Sequence, residues 1–203
     1  MMKELDLESL LFGSGGQRTE IASGDVLIAE PFMEESIFKR SSILMLEADR
    51  ARGYMGLVLN HQIPLSMRDL IPGWKFGERV PLFAGGPVDL DRLFMLHTLG
   101  DRFSGSRELF PGLYVGARID DVVSYVEGGG EVDGCLRFFL GYSGWGTDQL
   151  ENEVLHNTWA IGRHEDADVL LHGSGNEYWR RQVEHLGDDY RSWLTVPVDA
   201  ALN

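Results

Sequence analysis

A single cysteine, Cys135, stands in the 203-residue chain, so no disulfide can form within it. An unpaired thiol fits a reducing compartment such as the cytosol better than a secreted fate. Cys135 opens the apolar run "CLRFFLG" and reads as a small buried hydrophobe, not as a nucleophile or redox sensor. No apolar stretch approaches the roughly 20 residues that a membrane-spanning helix needs. The N-terminal "MMKELDLESLLFGSGG" scatters acidic residues among its apolar ones and lacks a small-residue cleavage site, which excludes a signal peptide. It reads as a short amphipathic turn and a Gly-Ser linker. Residues 1–23 are therefore expected to form a flexible extension, and 24–203 a single domain.

Positive charge is also scarce. Lys and Arg number 18 against 32 Asp and Glu, for a formal net charge of −14. Phosphate-backbone recognition draws on clustered cations, and the densest basic spots here are only "RAR" at 50–52 and "RR" at Arg180 and Arg181. Direct nucleic-acid binding is disfavoured, and the acidity is read as a source of solubility.

Metal and nucleotide signatures are missing too. His61, His97, His156, His164, His172 and His185 form no i, i+4 pair and have no C-x-x-C partner. "HEDAD" at 164–168 lacks the spacing of a calcium loop and reads as an exposed acidic turn. Neither a Walker-type Gly-Lys-Ser/Thr nor a G-x-G-x-x-G occurs. No cofactor and no metal are expected.

What remains is enough for a core: 43% of residues are hydrophobic and 10% aromatic. "GDVLIAEP", "SSILMLEA" and "GYMGLVLN" are β-prone runs, apolar almost throughout, which predicts a sheet covered on both faces. "PLSMRDLIPG" places Ser66 three residues before Asp69 and predicts a short capped helix. "VPLFAGGPVDLDRLFMLHT" reads as strand, turn, strand around Gly85-Gly86-Pro87. "LGDRFSGSRELFPG" reads as a loop and "LYVGA" as a strand. Ile119, Val122, Val123 and Val126 fall on one helical face ended by glycines. "CLRFFLGY" is a buried strand. "DQLENEVLHN" predicts a helix with Asp148 at its N-cap and Glu151 as the reciprocal capping residue. "TWAIGR" and "ADVLLHG" read as strands. Trp179, Val183 and Leu186 line a last helix closed by Gly187. Strands and helices interleave irregularly, which predicts a mixed α/β or α+β domain.

The stretch "GYSGWG" at 141–146 comes closest to a chemical motif. A hydrolase elbow needs G-x-S-x-G, but Trp145 stands where the last glycine belongs, which argues against Ser143 as a nucleophile. Its glycines precede a helix start, where anions are favoured, yet Asp148 would repel a phosphate there. The stretch reads as a structural turn with Tyr142 and Trp145 packed over a strand end. His97, in "RLFMLHT", reads as a half-buried histidine held by a carbonyl, with proton transfer at a strand end as the sharper alternative.

"GDVLIAEPFMEESIFKRSSILMLE", "GYMGLVLN", "FAGGPVDLDRLFMLH", "GYSGWGTDQLENEVLHNTW" and "YWRRQVEHLG" stand in the order of the bacterial YqgE/AlgH family, which the chain resembles over 24–190. Where that family often has small residues after Gly-Trp-Gly, this chain has Thr147-Asp148, which adds negative charge. The resemblance implies an α+β fold with a small β-barrel-like sheet flanked by helices, in a bacterial cytosolic protein. It carries the label of a transcriptional regulator and supplies no agreed catalytic residues.

Three readings follow. The first is a regulatory or interaction module acting on a protein or small-molecule partner. The second is an enzyme or small-ligand-binding protein with a cleft formed by the Gly85-Gly86-Pro87 turn, His97 and the 141–146 turn. The third is direct DNA binding, which the charge and the missing helix-turn-helix disfavour. The candidate ligand or partner site is Gly85, Gly86, Pro87, His97, Tyr142, Ser143, Trp145 and Gln149.

Overall fold

The structure is a computed structural model and describes residues 18–164 and 166–198. Most of the expected extension lies outside the described residues. In chain order the elements are β1 (Val26–Ala29), β2 (Ser42–Asp49), β3 (Gly53–Val58), β4 (Gln62–Ser66), α1 (Met67–Leu70), β5 (Pro81–Ala84) and β6 (Val88–His97). There follow β7 (Arg107–Phe110), β8 (Leu113–Val115), α2 (Ile119–Glu127), β9 (Leu136–Trp145), α3 (Gln149–Leu155), β10 (Trp159–Gly162), α4 (Ala167–Leu170) and α5 (Gly175–Leu186).

The apolar runs of β1 to β3 split by strand periodicity, with successive side chains on opposite faces. Val26, Ile28, Leu44, Leu46 and Leu57 pack with Trp179 and Val183 of α5 on one face. Leu27, Ile43, Met45 and Val58 pack with Leu150 and Val154 of α3 on the other. A third cluster joins Val122 and Val126 of α2 to Leu82, Met95 and Phe138. α1 starts as its spacing predicts, since the Asp69 carboxylate accepts from the Ser66 N–H at 2.7 Å and from the Ser66 hydroxyl at 3.0 Å.

Ten strands form one branched sheet. Its main order is β10-β1-β2-β3-β9-β6-β8-β7, with β5 also on β9 and β4 on β5. The branch point is β9. Its first half lies between β5, which runs parallel to it (Phe83↔Phe139), and β6, which runs antiparallel (Phe94↔Phe139). Its second half pairs with β3 (Gly56↔Ser143, Tyr54↔Trp145). The α+β class holds, but the barrel-like sheet is corrected: among the described residues no backbone pairing joins β10 to β7. Near the two ends, the Phe110 ring stacks on His164 with centroids 3.6 Å apart.

Other expectations also change. Residues 141–145 are not a tight turn but the second half of β9. The 99–112 loop contains β7. The stretch expected as a strand from 167 is the helix α4, because Ala167, Leu170 and Leu171 reach the core together only at helical spacing. Among the described residues no helix is long and apolar enough to cross a membrane.

Candidate functional site

β5 and β6 are consecutive but do not pair, because β9 is inserted between them. The Gly85-Gly86-Pro87 connection must therefore pass over β9, and it does so backbone against backbone. A Cβ at Gly85 would lie 2.2 Å from the Gly141 carbonyl oxygen, and one at Gly86 would lie 2.2 Å from the Tyr142 carbonyl carbon. Gly141 has φ +66, and a Cβ there would meet the Gly86 oxygen at 2.7 Å. Only glycine permits this approach. The crossing is tied by the Gly85 N–H to the Leu140 carbonyl at 2.8 Å and by the Val58 N–H to the Gly85 carbonyl at 2.9 Å. The fully buried Ser143 hydroxyl donates to that same carbonyl at 3.1 Å.

Tyr142, Gly144, Trp145 and Gly146 form one wall of an open groove of about 800 Å³. The paired end of the β2–β3 hairpin continues this surface, with Glu47, Asp49, Arg52, Tyr54 and Met55, and Val88 and Arg107 add to the lining. Arg52 is committed to Asp49, its Nε lying 2.5 Å from the carboxylate, which holds the Asp49 carboxyl below its usual range.

Behind the groove, α3 fixes its wall. The Glu153 carboxylate accepts from the Trp145 indole at 2.9 Å, the Trp159 indole at 2.7 Å and the Gln149 amide at 3.0 Å. Gln149 also accepts from the Gly146 N–H at 3.1 Å. The Asp148–Glu151 capping box does not form. Asp148 has φ +64 and makes no side-chain cap, while Glu151 accepts a hydrogen bond from the Tyr54 hydroxyl. Burial, reinforced by that carboxylate, pushes the Tyr54 hydroxyl up to about 12.

The structure thus brings Gly85, Gly86, Tyr142 and Ser143 together at the crossing that leads into Pro87, while Trp145 stands further along β9 and Gln149 on α3. His97 stands apart. Val88 pairs with Tyr142 at one end of β6, whereas His97 pairs with Leu136 at the other. His97 is fully buried between the rings of Phe103 and Tyr114. Its Nδ1 accepts from the Leu99 N–H at 3.2 Å, which leaves Nε2 as the donor toward the Gly116 carbonyl at 3.1 Å and the Ser106 hydroxyl at 2.8 Å. Burial lowers its pKa and keeps the ring neutral.

Sequence reasoning missed Glu153, Arg52 and Arg107. The i, i+4 spacing of Gln149 and Glu153 was readable; the meeting of Glu153 with two indoles was not, since Trp159 arrives through the β10 pairing. Among the described residues no group of three His, Cys, Asp or Glu is placed to hold a metal. Arg50 pairs with Glu151 of α3 at 3.5 Å, while Arg180 donates to the Leu194 carbonyl beside α5. Because α3 and α5 cover opposite faces of the sheet, the two basic spots do not join.

These features define a mixed α+β protein built on a branched sheet, with an open groove beside the last residues of its central strand. The chain belongs to the AlgH-like family (DUF179), whose profile matches residues 26–191. A UPF0301 protein of Bacteroides thetaiotaomicron is 37% identical, covering 98% of this chain and all of that relative. Another, from Parabacteroides distasonis, is 38% identical over 89% of this chain and 90% of its own length. The solution structure of the AlgH protein from Pseudomonas aeruginosa superposes with a TM-score of 0.67 at 25% identity, covering 92% of this chain and all of that one. A crystal structure of a Corynebacterium diphtheriae protein shares the fold, with a TM-score of 0.72 at 22% identity over 91% and 97% of the two chains.

Proposed function

We propose that the protein is a regulatory or interaction module of the bacterial cytosol, a single domain over 24–203, whose working surface is the groove beside 142–146. The observation that carries this reading is how the chemistry-bearing residues are used. The Ser143 hydroxyl is turned away from the groove onto the Gly85 carbonyl, and His97 is bonded within the core at the far end of β6. The groove presents polar backbone, Tyr142 and charged side chains, a surface suited to recognition. If a regulator label applies, it acts through a protein or small-molecule contact, because the net charge of −14 and the separated Arg50 and Arg180 disfavour DNA. A small-ligand reading draws support from the groove's size, which lies within the roughly 300–1,000 Å³ of ligand pockets.

Gly146 provides the test. A Cβ there meets nothing within 4 Å, and its φ is not among the positive ones, so Gly146→Trp blocks the groove without straining the fold. Partners and metabolites retained by the wild-type protein in native mass spectrometry and pull-down should be lost from Gly146→Trp at unchanged thermal stability. Retention of the same set by both proteins, or the same set lost together with folding, would overturn this assignment.

A further inference from the structure

A second, smaller cavity lies at the other end of β9, where the strand begins, away from the groove. It measures about 260 Å³ and is lined by Arg137, Arg79, Gln62 and Asp133, by Ser174 and Gly173 at the start of α5, and by apolar side chains that include Phe83 and Leu136. Arg137 is only 4% exposed. Its guanidinium lies over the Phe83 ring at 4.3 Å. NH1 donates to the Leu59 carbonyl at 2.7 Å, and NH2 donates to the carbonyls of Leu171 at 2.5 Å and Gly173 at 2.9 Å. Those three carbonyls tether the side chain but carry no net charge. No carboxylate lies within ion-pair distance of Arg137 among the described residues. The Asp133 carboxylate acts on it only from beyond ion-pair distance, and burying a cation so weakly compensated is costly.

Ser174 adds to the polarity of the cavity. It is the N-cap residue of the 12-residue α5, yet its side chain makes no capping bond. The Gly175 N–H that opens the helix donates to the Asn60 carbonyl at 2.7 Å, and the positive end of the helix dipole lies beside the buried guanidinium without a carboxylate cap. The cavity is smaller than the roughly 300 Å³ at which pockets for drug-sized ligands begin. Asp133 sits on the rim, where its carboxylate is 82% exposed and faces His172 at 3.4 Å. A negative charge there works against a dianion more than against a monoanion.

We propose that this cavity is a binding site for a small monocarboxylate, with the carboxylate facing Arg137 and the start of α5 and a short hydrocarbon tail against Phe83 and Leu136. The head complements the guanidinium charge, which three neutral carbonyls do not compensate, and the tail matches the apolar part of the lining.

Butyrate, acetate and inorganic phosphate are the probes, titrated at constant ionic strength against chloride and followed by amide and arginine side-chain NMR and by thermal melting. Butyrate should shift the Arg137, Gly173 and Ser174 signals saturably and raise the melting temperature more than chloride does. Acetate, with less tail, should bind more weakly. Because Arg137 also ties the β3–β4 connection to the α4–α5 connection, Arg137→Met risks unfolding, and the decisive variant is Ser174→Asp. Aspartate is a good N-cap, so this variant should fold with equal or greater stability, while its charge weakens butyrate binding about tenfold or more. Equal responses to butyrate and chloride, or equal butyrate affinity in wild type and Ser174→Asp, would overturn the site. Tighter binding of phosphate than of butyrate would overturn the monocarboxylate assignment.

Discussion

The Ser143 hydroxyl donates to the carbonyl oxygen of Gly85 at 3.1 Å, spanning the point where the β5–β6 connection crosses β9. The Val58 N–H reaches the same oxygen at 2.9 Å, so removing the hydroxyl leaves the acceptor satisfied. Ser143→Ala should cost about 1 kcal/mol or less in urea unfolding. Gly85→Ala should cost at least about 3 kcal/mol, because its methyl would sit 2.2 Å from the Gly141 oxygen and neither main chain can retreat. A Ser143→Ala loss as large as that of Gly85→Ala would show that the hydroxyl, and not the backbone approach, holds the crossing.

The groove wall should depend on Glu153, behind it, as well as on Trp145, which lines it. Glu153→Leu leaves the indole N–H groups of Trp145 and Trp159 without their acceptor, and should destabilise by about 3 kcal/mol. Trp145→Ala, at a site only 7% exposed, should cost about 3–5 kcal/mol. The two substitutions share one interaction, so the double variant should lose measurably less than the sum of the singles. Additive losses would place the Trp145–Glu153 bond outside the energetics of the wall.

How much of this was readable in the sequence differs from element to element. β1 to β3 were readable because an apolar run covered on both faces needs no knowledge of its partners. The helices over 119–127 and 175–186 were readable from their spacing. The position of β9 was not: strand periodicity in "CLRFFLGYSGW" does not tell which strands flank it, and the insertion of β9 between β5 and β6 decides everything at the crossing. Three glycines in six residues read as a turn, whereas Gly141 serves close contact between backbones and only the residues from Gly146 to Asp148 turn the chain. His97 and the glycines share a β6 neighbourhood in sequence, but strand extension of about 3.3 Å per residue carries them to opposite ends of β6.

His97 should appear in the acid limb of the stability curve. Its folded pKa lies below the 6.5 of the free side chain, so below that pH the unfolded chain takes up the proton more readily. The stability it contributes is complete above pH 6.5 and declines as the pH falls from there through the folded value. His61, also lowered by burial, acts in the same direction. His97→Phe keeps a ring between Phe103 and Tyr114 but loses the polar contacts. It should cost about 2–3 kcal/mol near neutral pH and show a shallower decline below pH 6.5, with the His61 share remaining. An unchanged acid limb would mean that His97 can take up a proton in place.

Tyr54 should mark the alkaline limb with the opposite sign. Its hydroxyl ionises at about 12 in the fold against 10.0 for the free side chain, so between these values the folded state holds the proton and the unfolded chain releases it. Stability is therefore whole below pH 10 and falls as the pH rises toward 12. Tyr54→Phe should flatten that fall, while Tyr114, Tyr125 and Tyr190, all raised by burial, preserve part of it. At neutral pH the same variant removes the Tyr54 hydrogen bond from Glu151 and keeps its ion pair with Arg50 at 3.5 Å, and should cost about 1–2 kcal/mol. Urea unfolding at pH 8, 10 and 11 measures both effects. A Tyr54→Phe protein whose alkaline decline matches the wild type would show that the phenol ionises freely beside Glu151, so that the hydrogen bond between them does not tie α3 to the hairpin.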